Sequence, residues 1–140
     1  MTINSTLPYS SSDETRRDTP LFTILTASLN GAGTLEETIL SIRKQTTNQV
    51  QHIVIDGGST DGTLDILKRY QKDYDLSWIS EPDKGIADAL NKGLRLAKGK
   101  YILVLQTDDQ LLKKDSLEKA WAAIEKGPAD FHIFPVMFDR

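Results

Sequence analysis

The chain has 140 residues, 39% of them hydrophobic and 26% charged, and a formal net charge of −3. This length supplies the core of one ordinary domain, and the acidic balance argues against a protein that binds nucleic acids through a basic face. Cysteine is absent from the sequence, which excludes disulfides and thiolate metal sites and leaves oxygen ligands for any metal.

The first part of the chain changes from a polar segment to a strand and a helix. Residues 1–19 have little periodic apolar content, which predicts a flexible leader before one domain at residues 20–140. Residues 21–28 are apolar and β-branched and are predicted to form a buried strand. A helix follows, because Thr34 and Glu37 have the spacing of a capping box and apolar residues then recur at helical spacing.

The alternation of strands and helices continues along the chain. Further strands are predicted at residues 51–56, 76–79, 101–105 and 131–137, and further helices at 63–71, 86–97 and 115–126. In the helix at 86–97 the expected apolar face comprises Ile86, Ala89, Leu90, Gly93, Leu94 and Ala97. Such alternation predicts an α/β fold, with an open and mostly parallel sheet and helices on both faces.

Polar residues follow the predicted strands at their carboxyl ends, where sheets of this kind bind ligands. They are Ser28 and Asn30, Asp56, Glu81 and Asp83, and Asp108 and Asp109. Each alone is explained as an ordinary turn former. Because all of them are expected at the same edge of the sheet, they predict a site for a small polar ligand.

The adjacent carboxylates Asp108 and Asp109 are the sharpest of these features. They repel each other unless a cation or a hydrogen-bond donor lies between them. The ligand type suits Mg²⁺ or Mn²⁺ held jointly with substrate phosphates. A helix-capping loop is the alternative, and we disfavour it because Asp115 is better placed to cap the next helix.

The segment at residues 56–63 is a second candidate for ligand binding. Its glycines, Gly58 among them, let the backbone approach a ligand, and Asp56 can accept hydrogen bonds from a base or a ribose. A turn with a helix cap is the alternative.

The segment at residues 81–93 is a third candidate. Asp88 and Asn91 share one face of the predicted helix, and Lys84 and Lys92 lie nearby as counter-charges for a diphosphate. The same charges could simply solvate an exposed face, and position alone favours neither interpretation.

Together these segments resemble glycosyltransferase family 2, which comprises inverting enzymes of the GT-A fold. The similarity covers about residues 22–112 and is carried by segments 26–30, 38–45, 56–63, 81–93, 97–99 and 107–109. It implies an enzyme of polysaccharide biosynthesis that transfers a sugar from a nucleoside-diphosphate sugar to a saccharide or lipid-linked acceptor. The polar start of the chain, which lacks the apolar core of a secretory signal, separately favours a cytoplasmic location. The metal would stabilise the leaving nucleoside diphosphate, and the anomeric configuration would invert.

The resemblance also implies roles for individual residues. The nucleoside pocket would be lined by Ala27, Ser28, Asn30 and Asp56. The diphosphate and sugar would be flanked by Asp83, Lys84, Gly85, Asp88, Asn91 and Lys92. Asp109 would bind the metal directly, and Asp108 would contact the ribose or sugar beside it. Ala87 replaces an aromatic residue of many relatives, and Gln106 with Thr107 replaces Asn-Ser, so a different sugar pocket is expected.

The end of the chain lacks a recognisable motif for the general base, since neither Asp130 nor Asp139 stands in one. Members of the family continue well past the metal motif, so we expect this chain to bind a donor weakly without transferring its sugar. Peripheral attachment to a membrane and homo-oligomers are further expectations. Self-association would use apolar residues near the end, Phe131, Ile133, Phe134, Val136, Met137 and Phe138.

Two alternatives to a transferase remain at this point. A nicotinamide-dependent oxidoreductase would use Gly31 and Gly33 after the first strand, with Asp56 ending the second. Its fingerprint fails at the third glycine position, where Glu36 brings charge and bulk. The other alternative is a non-catalytic module for nucleotide binding or assembly.

Overall fold

The structure, a computed structural model, describes residues 19–127 and Ala129. Strands and helices alternate in the order β1 (Phe22–Ser28), α1 (Leu35–Arg43), β2 (Val50–Asp56), α2 (Thr63–Tyr70), β3 (Leu76–Ser80), α3 (Ile86–Leu96), β4 (Tyr101–Val104) and α4 (Ser116–Lys126). The predicted leader apart from residue 19, the strand predicted at 131–137, Asp130, Asp139 and the apolar residues expected to self-associate lie outside the described residues. In the described part, no helix is long and apolar enough to cross a membrane.

The four strands form one parallel sheet in the order β3-β2-β1-β4. The chain therefore builds outward from β1 to β3 and then crosses back, so that β4 pairs with the free edge of β1. Such a reversal of strand order opens a crevice between the loops that leave the adjacent strands β1 and β4. The predicted α/β class and the parallel sheet are confirmed.

Side chains alternate between the two faces of the sheet, and each face has its own helices. On one face Leu25 and Ile53 pack against Ala89 of α3. On the other, Ile24 packs against residues of α1 and α4, and Val54 against residues of α1 and α2. The core thus lies in two layers, as expected for a sheet covered on both sides.

Helix α3 buries a narrower stripe than its sequence predicts. The buried residues are Ala89 and Gly93, whereas Ile86 is 59% and Leu94 37% exposed. A Cβ atom at Gly93 would lie 3.0 Å from Leu25 Cδ2, so the helix approaches the sheet through small side chains. Close contact through small residues needs fewer flanking apolar side chains, which is why the predicted face is too wide.

The side-chain caps predicted for two helices are not formed. Thr34 is the N-cap residue of α1 but its side chain makes no capping hydrogen bond, because the N–H of Glu37, the expected donor, bonds to the backbone carbonyl of Thr34 at 3.1 Å. Asp115 is the N-cap residue of α4, and it too makes no side-chain cap. Its carboxylate instead lies 3.0 Å from the ammonium of Lys119.

Candidate functional site

The loops that follow the four strands begin at the same edge of the sheet. Backbone hydrogen bonds continue past the strand ends, from Gly57 N to Ser28 O at 2.8 Å and from Glu81 N to Asp56 O at 3.0 Å. The chain after β4 is held in the same way, because Leu105 N donates to Leu25 O of the adjacent strand β1 at 3.0 Å. These contacts bring the predicted polar residues to one edge.

Asp56 organises the loop that follows β2. The residue is fully buried. Its carboxylate accepts hydrogen bonds from Gly58 N at 3.1 Å, Ser59 N at 2.8 Å and Ser80 Oγ at 2.7 Å, and also from Ser59 Oγ. Four donors from the protein account for this carboxylate without a ligand, as the turn alternative requires. Gly58 lies beside Pro82 with φ of +88°, a conformation that favours glycine.

Asn30 and Asp61 fasten the loops after β1 and β2 to each other. Asn30, at φ of 50°, donates its backbone N–H to Ser59 Oγ at 2.7 Å and accepts from Thr60 N at 2.9 Å through its side chain. Asp61 accepts from Ala32 N at 3.0 Å. The two loops therefore behave as one layer over the carboxyl ends of β1 and β2.

The acidic pair follows β4 in a loop held by its backbone. Asp109 Oδ2 accepts from Gln106 N at 3.0 Å, which closes a turn. Thr38 Oγ1, on α1, lies 2.6 Å from the carbonyl oxygen of Thr107 and 2.8 Å from that of Asp109. The side chains of Asp108 and Asp109 are exposed. The loop thus presents two carboxylates to solvent from a fixed backbone.

The acidic loop also packs against the end of β1. Thr107 Oγ1 donates to the carbonyl of Ala27 at 2.6 Å. A Cβ atom at Gly31 would lie 2.4 Å from Thr107 Cγ2 and 2.8 Å from Ser28 Oγ, so only glycine fits there. Ser28 is 4% exposed, and its hydroxyl lacks a hydrogen-bond partner among the described residues. A buried hydroxyl without a protein partner usually forms its hydrogen bond with a ligand or a water molecule, or else it is a source of strain.

Lys92, on α3, binds to residues of the loop between β3 and α3. Its ammonium lies 2.9 Å from Glu81 Oε1 and 3.4 Å from Asp88 Oδ2, and it donates to Pro82 O at 3.3 Å. The hydrogen bond to Glu81 chiefly raises the pKa of Lys92. A diphosphate would have to compete with these partners for the predicted counter-charge.

The start of α3 is shaped by two carboxylates. Asp88 Oδ2 accepts from Lys84 N at 3.1 Å, and this backbone hydrogen bond chiefly lowers the pKa of Asp88. Asp83 Oδ1 accepts from Gly85 N at 2.9 Å, at a residue with φ of +106°. A Cβ at Gly57 would lie 2.8 Å from Asp83 Oδ2, so this carboxylate rests against the loop after β2. The exposed members of the predicted set are Lys84, Gly85 and Asn91.

A polar stripe formed by Thr38 and Ser41 on α1 and by Gln45 just after this helix is missed by the sequence analysis as a site feature. Ser41 Oγ accepts from Leu111 N at 3.1 Å, and Gln45 Nε2 donates to Lys113 O at 2.8 Å. Together with Thr38, these side chains hold the acidic loop and the chain that follows it. The available signal is the i, i+3, i+7 spacing of polar residues beside a buried apolar face.

Within residues 19–127, histidine, aspartate and glutamate side chains form no group of three that could hold a metal. The acidic pair would therefore supply part of a coordination shell. Mg²⁺ and Mn²⁺ sites built from one or two carboxylates complete their shells with water and substrate phosphates. The residues present fit such a shared site.

Residues 23–139 match the sequence profile of Glycosyl transferase family 2, which covers most of the chain. The chain belongs to glycosyltransferase family 2. A PGL/p-HBAD biosynthesis glycosyltransferase of Mycobacterium bovis is 38% identical over 114 residues, which are 79% of this chain and 44% of that relative. The chain thus spans less than half the length of this family 2 relative. Membership of the family removes the nicotinamide-dependent oxidoreductase from the alternatives.

Two solved structures share the architecture of this family 2 chain. Residues 1–349 of Staphylococcus aureus TarS, in complex with UDP-GlcNAc, give a TM-score of 0.70 at 27% identity over 75% of this chain and 31% of that one. The mannosyltransferase PcManGT from Pyrobaculum calidifontis, in complex with GDP-Man and Mn²⁺, gives 0.70 at 28% identity over 76% and 32%. These similarities confirm the predicted GT-A, Rossmann-like fold.

Proposed function

We propose that this chain is the donor-binding part of a metal-dependent, inverting glycosyltransferase that acts on a nucleoside-diphosphate sugar. The observation that carries the proposal is the exposed pair Asp108 and Asp109 at the edge where the strand order reverses. In a family 2 chain, this is the edge where a ligand of the α/β sheet is expected. Relatives with UDP-GlcNAc, and with GDP-Man and Mn²⁺, support the same ligand class.

The acidic pair is proposed to hold the metal through Asp109, with Asp108 toward the ribose or sugar. Asp109 uses Oδ2 to close its own turn on Gln106 N, so Oδ1 is the oxygen left for a cation. A bound Mg²⁺ or Mn²⁺ would offset the negative charge that develops on the departing diphosphate. Thr38 holds the carbonyls on both sides of Asp108, which keeps the pair oriented before a ligand arrives.

The nucleoside is proposed to bind over the end of β1. The buried hydroxyl of Ser28, which lacks a described partner, can donate to or accept from a base or ribose there. Ala27 and Asn30 belong to the same chain segment. Asp56 is proposed to serve the nucleoside indirectly, because its carboxylate orders the loop that carries Gly58.

The diphosphate and sugar are proposed to lie along the start of α3. Lys84 is exposed and can reach a phosphate, and Asn91 is exposed on the same helix. Lys92 is held by Glu81 and Asp88, so it contributes by fixing the loop. Asp83 and Gly85 set the sharp turn before the helix, which brings backbone near the ligand.

Calorimetric titration tests the proposal. UDP-GlcNAc, GDP-Man, UDP and GDP would be titrated in Mn²⁺, in Mg²⁺ and in excess EDTA. We expect saturable binding of at least one nucleotide pair that depends on the divalent ion. Absence of binding for all four in every condition would contradict the proposed function.

A nucleotide-binding module without transfer is the second candidate, because the sequence offers no recognisable motif for the general base. Incubation of the chain with a bound donor and a broad mixture of saccharide acceptors separates the two. Acceptor-dependent release of nucleoside diphosphate supports the transferase, and binding without release supports the module. A single domain at residues 20–140, a cytoplasmic location, membrane attachment and self-association remain predictions.

A further inference from the structure

A chain of hydrogen-bonding groups crosses the inside of the sheet, from the start of β3 to the end of β4. Tyr74 Oη lies 2.7 Å from His52 Nδ1, and His52 Nε2 lies 2.9 Å from Thr26 Oγ1. Thr26 Oγ1 lies 2.7 Å from the carbonyl oxygen of Leu105. His52 and Thr26 are fully buried, and Leu105 is 8% exposed. We call these four residues the buried relay.

The direction of every proton in the buried relay follows from its last group. The carbonyl of Leu105 can only accept, so Thr26 donates its single hydroxyl proton to it. His52 Nε2 must then donate to Thr26 Oγ1. A neutral imidazole carries one N–H, so Nδ1 accepts, and Tyr74 is the donor that it accepts from. One arrangement of protons therefore satisfies all the groups.

Burial keeps these groups in the required protonation states. It lowers the pKa of His52 to about 3, and it raises the pKa of the Tyr74 hydroxyl. The charged groups beside Tyr74 are Arg43 and Asp73, which pair with each other at 3.5 Å. Near neutral pH the imidazole is uncharged and the phenol is protonated.

The buried relay ends where the chain leaves the sheet for the acidic loop. Leu105 donates its N–H to Leu25 O at 3.0 Å and accepts from Thr26 through its carbonyl. Both backbone groups of this residue are therefore fixed on β1. Gln106 to Asp109 follow directly, and the first hydrogen bond within this loop joins Gln106 N to Asp109 Oδ2. Leu105 is therefore the residue at which the acidic loop is attached to the sheet.

We propose that Tyr74, His52 and Thr26 are positioning residues that orient the Asp108–Asp109 loop through the carbonyl of Leu105. The positioning role rests on the proposed function of that loop, whereas the proton arrangement does not. Without the Tyr74 hydroxyl, the imidazole proton is free to move to Nδ1. Nε2 then becomes an acceptor to which Thr26 can turn, and the carbonyl of Leu105 is released.

Nitrogen-15 NMR of histidine-labelled protein tests the proton arrangement directly. The chain has two histidines, so a His132→Gln background leaves one imidazole signal set, that of His52. We expect a neutral ring with the proton on Nε2 at pH 7, and a mixture of tautomers in Tyr74→Phe. A ring that carries its proton on Nδ1, or a charged ring, in the parent would overturn the relay.

Titration of UDP and GDP with Mn²⁺ and with EDTA tests the positioning role. We expect Tyr74→Phe and Thr26→Val to weaken Mn²⁺-dependent affinity roughly tenfold with little change in EDTA. Thr26→Ser keeps the hydroxyl and should behave like the parent. The matched control is Tyr70→Phe, which removes a phenol that donates to Glu36 at 2.7 Å, away from the relay.

The possible results separate two failures. Parent-like Mn²⁺-dependent affinity in Tyr74→Phe, or equal losses with Mn²⁺ and with EDTA, would overturn the positioning role. If the parent binds neither nucleotide with Mn²⁺, the proposed function fails and the positioning role fails with it. The NMR measurement still decides the proton arrangement in that case.

Discussion

Asp109 combines a structural contact and an exposed charge in one side chain, and substitutions can separate the two. Asp109→Asn keeps an oxygen that can accept from Gln106 N, but it removes the negative charge. We expect Asp109→Ala to abolish, and Asp109→Asn to weaken at least about tenfold, the metal-dependent binding of a nucleoside diphosphate. The free energy of unfolding should change little in the asparagine variant. Unaltered titrations in Mn²⁺ for both variants would remove Asp109 from the proposed metal site.

Gly31 shows how closely two loops of the site approach. Gly31→Ala would place a methyl group 2.4 Å from Thr107 Cγ2, so the acidic loop must shift. We expect the free energy of unfolding to fall by about 1–3 kcal/mol, together with weaker nucleotide binding in Mn²⁺. Gly33→Ala is the matched control, since its Cβ would meet nothing within 4 Å. Equal behaviour of the two variants in urea unfolding would contradict this packing.

His52 makes stability depend on pH with a definite sign. Its pKa falls from 6.5 in the unfolded chain to about 3 in the native state, so below about pH 6.5 the unfolded state binds more protons. The stabilisation is complete above about pH 6.5 and is lost as the pH falls toward about 3. The slope is about 1.4 kcal/mol per pH unit, hence about 2 kcal/mol between pH 7 and pH 5.

Urea unfolding at these two pH values measures the effect of His52. The comparison is between His132→Gln and the double variant His52→Gln/His132→Gln, so that carboxylates contribute equally to both. A pH dependence that is the same in the two variants would show that His52 is not buried in its neutral form.

At the level of elements, α1 links the core to the acidic loop through its polar stripe. Thr38→Val preserves the shape of the side chain but removes the donor to the carbonyls of Thr107 and Asp109. We expect a loss of about 1–3 kcal/mol in the free energy of unfolding and weaker binding of nucleotide with Mn²⁺. Thr38→Ser should restore both. A Thr38→Val variant that binds Mn²⁺ and nucleotide like the parent would assign the stripe to stability alone.

The elements themselves could be predicted from the sequence, whereas several contacts between them could not. Apolar periodicity is local, so it placed every described strand and helix close to its observed bounds. Capping depends on competition between acceptors, since the N–H of Glu37 bonds to the backbone carbonyl of Thr34 and not to its side chain. Lys92 has the spacing of an exposed counter-charge, but Glu81 and Asp88 reach it first.

At the site, the acidic pair could be predicted from local sequence, whereas the buried relay could not. Asp108 and Asp109 could be singled out because two adjacent carboxylates after an apolar strand are unusual in any context. His52 offered no such signal, since a single histidine within a strand is compatible with an ordinary core position. Its role depends on Thr26 and Tyr74, which lie on different elements and meet it only in the folded chain.

For the whole molecule, the proposed ligand should stabilise the native state. A nucleoside diphosphate with Mn²⁺ at about 100 times its dissociation constant adds about 2.7 kcal/mol to the free energy of unfolding. We expect a higher midpoint of thermal unfolding with Mn²⁺ and UDP or GDP together than with either alone. The control is the Asp109→Ala variant, whose midpoint should not respond to the pair. If the midpoint of thermal unfolding of the parent does not change when either nucleotide is added with Mn²⁺, that result would argue against a donor site.

The strand order also sets the sequence of events during synthesis. The segments that form β1, β2 and β3 leave the ribosome before β4, yet β4 pairs with the remaining edge of β1. A nascent chain can therefore assemble three strands while the buried strand β1 still has unpaired N–H and C=O groups on one side. Such an open edge is a template for intermolecular pairing until residues 101–104 arrive. The acidic loop, which follows β4, is the last part of the described site to be synthesised. A nascent chain stalled before β4 would therefore be prone to aggregate and would lack the proposed metal ligands.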